Sequence, residues 1–227
     1  MDATLYRSIV GGLRYLVHTR PDICFTVDYL SRYMEAPGGE HWSAVKHLLR
    51  YIAGTRGLGC CYARQESKAK LVGYSDADMA GNIDDRKSTS GALFTLGGCP
   101  VSWQSQKQKV VALSSCEAEY IAATTAACQG VWLDRLLSEL TEKNSSKPAT
   151  IFVDNKSAIQ LSKNPVFHDR SKHIEVRFHF IRESIEQGKI AVEYIRTEDQ
   201  LADILTKPLG RVKFQDLHAR IGVVDVK

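Results

Sequence analysis

Apolar residues recur at helical spacing through the first 62 positions. Leu5, Ile9, Leu13 and Leu16 form one run. Arg20-Pro21-Asp22 interrupts it, because a proline pushes the residue before it out of the helix. A second run, Ile23 to Met34, puts Val27, Leu30 and Tyr33 or Met34 on one face, and Ala36-Pro37-Gly38-Gly39 stops it. A third, His41 to Ile52, carries Trp42, Val45, Leu48, Leu49 and Ile52 before Gly54 and Gly57. Helices this short make a poor core alone. Their basic residues, Arg7, Arg14, Arg20, Arg32, Lys46, Arg50 and Arg56, suit a solvated face as well as a nucleic-acid groove.

The polar stretch 63–70, ARQESKAK, reads as a linker or turn. The period then changes. LVGYSDAD, GALFTLGGCPVSW and KQKVVALSS read as three strands, with turn residues at Gly81-Asn82 and Gly97-Gly98. A long helix runs from about Ser115 to Leu140. TIFVDN (150–155) is short and apolar, as a strand buried on both faces should be. KSAIQLSK predicts a short helix, and HIEVRFHFIRESIEQG an amphipathic one ended by Gly188. KIAVEYI (189–195) predicts a fifth strand, and a final helix starts near Thr197. The order β-β-β-α-β-α-α-β-α implies an α/β protein, a mixed sheet with helices packed on it.

With 227 residues, 44% hydrophobic and 25% charged, the chain is long enough and apolar enough to bury a core without staples. No apolar run reaches the roughly 18–20 residues that span a bilayer, and the N-terminus lacks the pattern of a signal peptide. The expectation is a soluble, intracellular protein, cytoplasmic or nuclear, with no membrane partner. The six cysteines form no C-x-x-C pair, so a zinc site is not expected. A net charge of +4 permits nucleic acid without demonstrating it.

Several acids stand where they are awkward. Ser114-Ser115-Cys116-Glu117 fits a capping box, which gives Glu117 a structural task. Glu119 has no such task, and its helical neighbours Ala122, Ala123 and Ala126 let that face approach a sheet. Thr197-Glu198-Asp199-Gln200 fits a second capping box, with Asp203 one turn beyond among Leu201, Ile204 and Leu205. Asp154 ends the apolar strand IFVD. Asp76 and Asp78 end the first strand and share a face, so periodicity does not choose between them. A single Asp at a strand end is ordinarily a cap. Four acids from separate segments need partners when buried, and magnesium favours carboxylates.

The runs YSDADMAGNIDDRKSTSGALFTLGGCPVSWQSQKQKVVALSSCEAEYIA, IFVDNKSAIQLSKNPVFHDRSKHIEVRFHFIRE and EDQLADILTKPL resemble the ribonuclease H domain of Copia-type retrotransposon Pol polyproteins. The segment LYRSIVGGLRYLVHTRPDICFTVDYLSRYMEAPGGEHWSAVKHLLRYIAGT resembles the stretch between palm and ribonuclease H there. The resemblance implies a helical connection segment over 1–62, a ribonuclease H-like domain over 71–210 with a five-stranded mixed sheet, and a polyprotein tail over 211–227. It implies cleavage of the RNA strand of RNA–DNA hybrids by two-metal-ion hydrolysis, with two Mg²⁺ ions, or Mn²⁺ in their place. It puts the catalytic and metal-binding roles on Asp76, Glu119, Asp154 and Asp203, and its choice of Asp76 over Asp78 rests on the family alone. Partners implied are the hybrid and the reverse transcriptase or other Pol parts. Met79 departs from the family's tryptophan, for which a packing effect is expected. No Y-x-D-D polymerase motif occurs, so this chain alone is not expected to reverse transcribe.

Arg86, Lys87, Ser88, Ser90, Asn155 and His173 are candidate nucleic-acid contacts, and Lys172, Arg177 and Arg182 a candidate basic helix face. His168, His173 and His179 are candidates for assisting proton transfer. Trp103 reads as core. Two other functions stay open at this point: a silent or repurposed retroelement segment that binds without cutting, and an integrase- or resolvase-like activity on the same fold.

Overall fold

The structure is a computed structural model. It describes residues 2–64, 69–141, 148–163 and 175–226, without the side chains of 175–178. Three helices open the chain, α1 (Ala3–Leu16), α2 (Cys24–Ser31) and α3 (Gly39–Gly54), followed by a short strand β1 (Leu58–Cys60). The central part contains β2 (Leu71–Ala77), β3 (Thr89–Leu96), β4 (Cys99–Lys107), α4 (Ser115–Thr141), β5 (Ala149–Val153), α5 (Lys156–Lys163), α6 (Glu175–Glu186) and β6 (Ile190–Tyr194). Then come 3-10 turns at Thr197–Asp199 and Leu201–Leu205, helix α7 (Arg211–Arg220) and strand β7 (Val223–Asp225).

Five strands form one mixed sheet in the order β4-β3-β2-β5-β6. The first three pair antiparallel, whereas β5 runs parallel to β2 and β6 parallel to β5. Parallel neighbours need long crossovers, and helices α4, α5 and α6 supply them. One sheet face packs on α4, α5 and α6 through Phe94, Ile121, Ile151 and Ile181. Buried alanines at 118, 122, 123, 126 and 127 bring α4 close to it. The other face carries Leu93, Leu201, Leu205, Leu217, Ile221 and Cys24.

Three sequence expectations shift. Gly97 and Gly98 adopt φ of 60° and 83°, the geometry of a tight two-residue hairpin turn. GALFTLGGCPVSW is therefore the two arms β3 and β4, and most of KQKVVALSS is the approach to α4 rather than a strand. The helix expected near Thr197 is a pair of 3-10 turns. On α1 the buried stripe is Tyr6, Val10 and Leu13, while Leu5 is 47% exposed. Both stripes have helical spacing; the Tyr6 hydroxyl, donating to the Leu30 carbonyl at 2.8 Å, lets the ring be interior.

The opening helices are not separate from the sheet. Cys24 packs with Leu93 and Leu205. The Trp103 indole donates to the Val17 carbonyl at 2.8 Å, and Arg32 Nη2 donates to Thr89 Oγ1 at 3.1 Å. The closing stretch, expected as a tail, returns as α7 and as β7, which pairs antiparallel with β1. Met79 is 48% exposed and fills no gap in the core.

Of the opening basic residues, Arg20 is interior. Its guanidinium holds Asp22 at 2.9 and 2.7 Å and reaches Thr55, and the Tyr51 hydroxyl also donates to Asp22. Breaking one side of a buried pair strands the other charge. Asp22→Ala is therefore expected to cost about 3–5 kcal/mol, read by urea denaturation. A change under about 1 kcal/mol would refute that interior role.

Candidate active site

The central strand β2 and its parallel neighbour β5 end on the same side of the sheet. Their register, Tyr74 opposite Phe152, carried two residues further, sets Asp76 beside Asp154. Such strand ends are where open α/β sheets place ligands. Glu119 enters from the second turn of α4, and Asp203 from the 3-10 turn Leu201–Leu205. Asp76, Glu119 and Asp154 each offer an oxygen within 4.8 Å of the others. Asp203 joins them through Lys207, whose Nζ lies 2.7 Å from Asp203 Oδ1 and 3.5 Å from Asp76 Oδ2. Asp78 stands apart. Strand β2 has ended before it, and its carboxylate accepts from the Thr89 N–H.

Burial and mutual repulsion set the electrostatics. Burial pushes the Asp76 carboxyl up to about 6; Lys207 opposes that shift, and Asp203 adds to it. Burial pushes Glu119 up to about 10, reinforced by the negative charges of Asp76 and Asp154. Burial works against the Lys207 ammonium, but Asp76 and Asp203 outweigh it and hold its pKa above the ordinary lysine value. Glu119 Oε2 is buried with no hydrogen-bond partner among the described residues. A donor set made only of carboxylate oxygens, one of them without a partner, fits a hard divalent cation such as Mg²⁺ or Mn²⁺.

The remaining candidates separate by contact. Arg86 is exposed in the loop after β2, with φ of 56°. Lys87 Nζ lies 3.5 Å from Asp85. Ser88 is fully buried and accepts from the Ala80 N–H, so no phosphate reaches its hydroxyl. Ser90 accepts from Gln108 Nε2. Asn155 accepts from the Ala158 N–H and so caps α5. His168, Lys172 and His173 lie outside the described residues, as does the Arg177 side chain. His179 Nδ1 lies 3.1 Å from Arg182.

Four residues of the site were not singled out by the sequence. The Thr206 hydroxyl donates to Asp76 Oδ2. Lys207 sits four residues after Asp203, a spacing that could have flagged an ion pair. Thr197 and Gln200 form no capping box. Thr197 donates to Asp154 Oδ2 at 2.9 Å, and Gln200 Nε2 donates to the Ser75 carbonyl at 2.9 Å.

No protein-family model matches the chain. The retrovirus-related Pol polyprotein from transposon RE2 of Arabidopsis thaliana is 47% identical over 225 residues, 99% of this chain. The chain belongs to the Copia-type retrotransposon Pol polyproteins. It spans about 15% of that relative's length. The structure of a foamy viral protease-reverse transcriptase in complex with RNA/DNA hybrid matches at TM-score 0.50 and 14% identity, over 92% of this chain and 26% of that one. LC11-RNase H1 matches at TM-score 0.46 and 18% identity, over 60% of this chain and 92% of that one. The mixed five-stranded sheet with flanking helices agrees with the sheet that the sequence resemblance implies. No helix among the described residues is long and apolar enough to cross a membrane.

In this Pol-family chain one glycine holds the Asp203 turn in place. A Cβ on Gly91 would lie 2.7 Å from Thr206 Cγ2, 2.9 Å from Leu205 Cβ and 3.0 Å from the Ala202 carbonyl. Gly91→Ala must therefore push the segment bearing Asp203, Thr206 and Lys207 away from β3. The expected result is a loss of about 1–3 kcal/mol in stability. Urea denaturation checks it. An unchanged midpoint would mean that the turn accommodates the added methyl without moving.

Proposed function

We propose that the chain cleaves the RNA strand of RNA–DNA hybrids as the ribonuclease H part of a retrotransposon Pol polyprotein. The reading rests above all on three carboxylates, from β2, α4 and the end of β5, converging within 4.8 Å, with one Glu119 oxygen unpartnered among the described residues. Asp76, Glu119 and Asp154 would hold one Mg²⁺, and Asp76 with Asp203 a second. Divalent cations in such a set activate water and stabilise the leaving oxygen of a phosphodiester. The protein supplies position and charge. Thr206 orients Asp76, Thr197 orients Asp154, and Lys207 balances Asp76 and Asp203 until cations take over that role. The 2′-hydroxyl would be the handle that separates RNA from DNA, and the exposed Arg86 would contact a backbone phosphate. This function belongs in the cytoplasm or nucleus, with the reverse transcriptase as partner.

The test is cleavage of a hybrid with separately labelled strands, with Mg²⁺, with Mn²⁺ and with chelator, beside a DNA duplex. Metal-dependent cutting confined to the RNA strand supports the reading. Cutting of the DNA duplex would favour an integrase- or resolvase-like activity, and hybrid binding without cutting a silent relic.

A further inference from the structure

A groove of about 750 Å³ begins at Lys207 and runs between α2, α3 and α7. The acid cluster and the groove share that lysine, so the two adjoin. Its walls carry three aromatic rings, Phe25, Tyr51 and Phe214. Tyr51 and Phe214 meet edge to face, with centroids 5.8 Å apart, and the half-buried Phe214 ring also lies 6.0 Å from the His218 ring at a tilt of 31°.

The charge along the groove that has no ion-pair partner among the described residues is positive. Lys207 and the exposed Arg211 line it, and Arg211 has no ion pair among the described residues. Asp22 is the one carboxylate among the lining residues described, and it is committed to Arg20 and the Tyr51 hydroxyl. The His218 Nε2 is buried without a hydrogen-bond partner among the described residues, so a polar group waits on the same wall. Aromatic faces beside phosphate-binding cations are the combination that holds single-stranded nucleic acid, through stacking that tolerates any base.

We infer that this groove is a subsite for single-stranded nucleic acid flanking the hybrid, with Phe214 as a stacking platform and Arg211 as a phosphate contact. The inference rests on the proposed hybrid-cleaving function and adds the substrate's flank to it.

The test compares a blunt RNA–DNA hybrid with hybrids carrying a six-nucleotide RNA extension at either end. Fluorescence anisotropy reads affinity with the full chain, and a 2-aminopurine in the extension reads stacking. One of the two extensions should tighten binding about tenfold and quench the probe. Phe214→Leu keeps an apolar filler but removes the ring, and should abolish both effects. Arg211→Gln should weaken the extended substrate and reduce its salt dependence. Both variants should bind and cut the blunt hybrid as the parent does. No gain from either extension, or a gain that survives both substitutions, overturns the subsite. Failure of the parent chain to cut the blunt hybrid would instead count against the underlying function, and it is read in a separate assay.

Discussion

Asp154→Asn should abolish magnesium-dependent hybrid cleavage, lowering kcat by at least about 10²–10³-fold, and leave the fold intact. The reasoning starts from position. Asp154 stands one residue past β5 and is only half-buried, so no core contact depends on its charge. Asn keeps the shape and still offers an oxygen to the Thr197 hydroxyl, which now donates to Asp154 Oδ2 at 2.9 Å. What is lost is one negative oxygen in a group of three that gathers positive charge. Cations bound by Asp76 and Glu119 alone would be held more weakly and placed less well, and misplacement costs more than affinity. Single-turnover cleavage across a magnesium titration separates the two effects. A defect that high magnesium fully repairs would mean that Asp154 supplies affinity only. Undiminished cleavage would remove Asp154 from the site altogether. Asp78→Asn is the matched control. Its carboxylate serves the Thr89 N–H, a task Asn can also perform, so cleavage should change little.

The sequence revealed the acids more readily than their supports. Glu117 and Glu119 could be told apart because a capping box has fixed spacing. In the structure Ser114 Oγ accepts from the Glu117 N–H, and Glu117 Oε2 accepts from the Leu113 N–H, one residue before the cap. IFVD stood out because an acid after an unbroken apolar run is expensive unless paired. The mixed sheet was legible from the order of elements. Thr206 was not, because its partner Asp76 is 130 residues away and no local period encodes that contact, and Lys207 was legible only as the i, i+4 partner of Asp203. Thr197 and Gln200 matched a capping box by pattern, yet tertiary contacts to Asp154 and Ser75 claim their side chains. The choice between the Leu5 and Tyr6 stripes on α1 was likewise made by α2, through a hydroxyl bond to Leu30. Spacing records local rules, and the site is assembled by distant ones.

Glu119→Gln should make the metal-free protein more stable while removing its activity. Burial and the neighbouring acids raise Glu119 from 4.5 to about 10, and Asp76 from 3.8 to about 6. A carboxyl with a raised folded pKa is favoured in its neutral form. Its contribution is fully present below the unfolded value and is lost as pH rises through the folded one. For Asp76 that window runs from 3.8 to about 6, and for Glu119 from 4.5 to about 10. The metal-free protein should therefore lose stability steadily from acid to alkaline pH. Gln does not titrate. At pH 7 the substitution avoids a cost of roughly 3 kcal/mol, which corresponds to about 5–10 °C in Tm, and the advantage should vanish near pH 4. Magnesium should close most of that gap. A bound cation would favour the charged parent over the Gln variant, and a gain of about 2.7 kcal/mol at a hundred times Kd nearly offsets the advantage. Thermal melts of both proteins between pH 4 and 9, with chelator and with magnesium, read each part. If the variant in chelator is less stable than the parent at pH 8, Glu119 is held by contacts that need its charge, and the strained metal site is refuted.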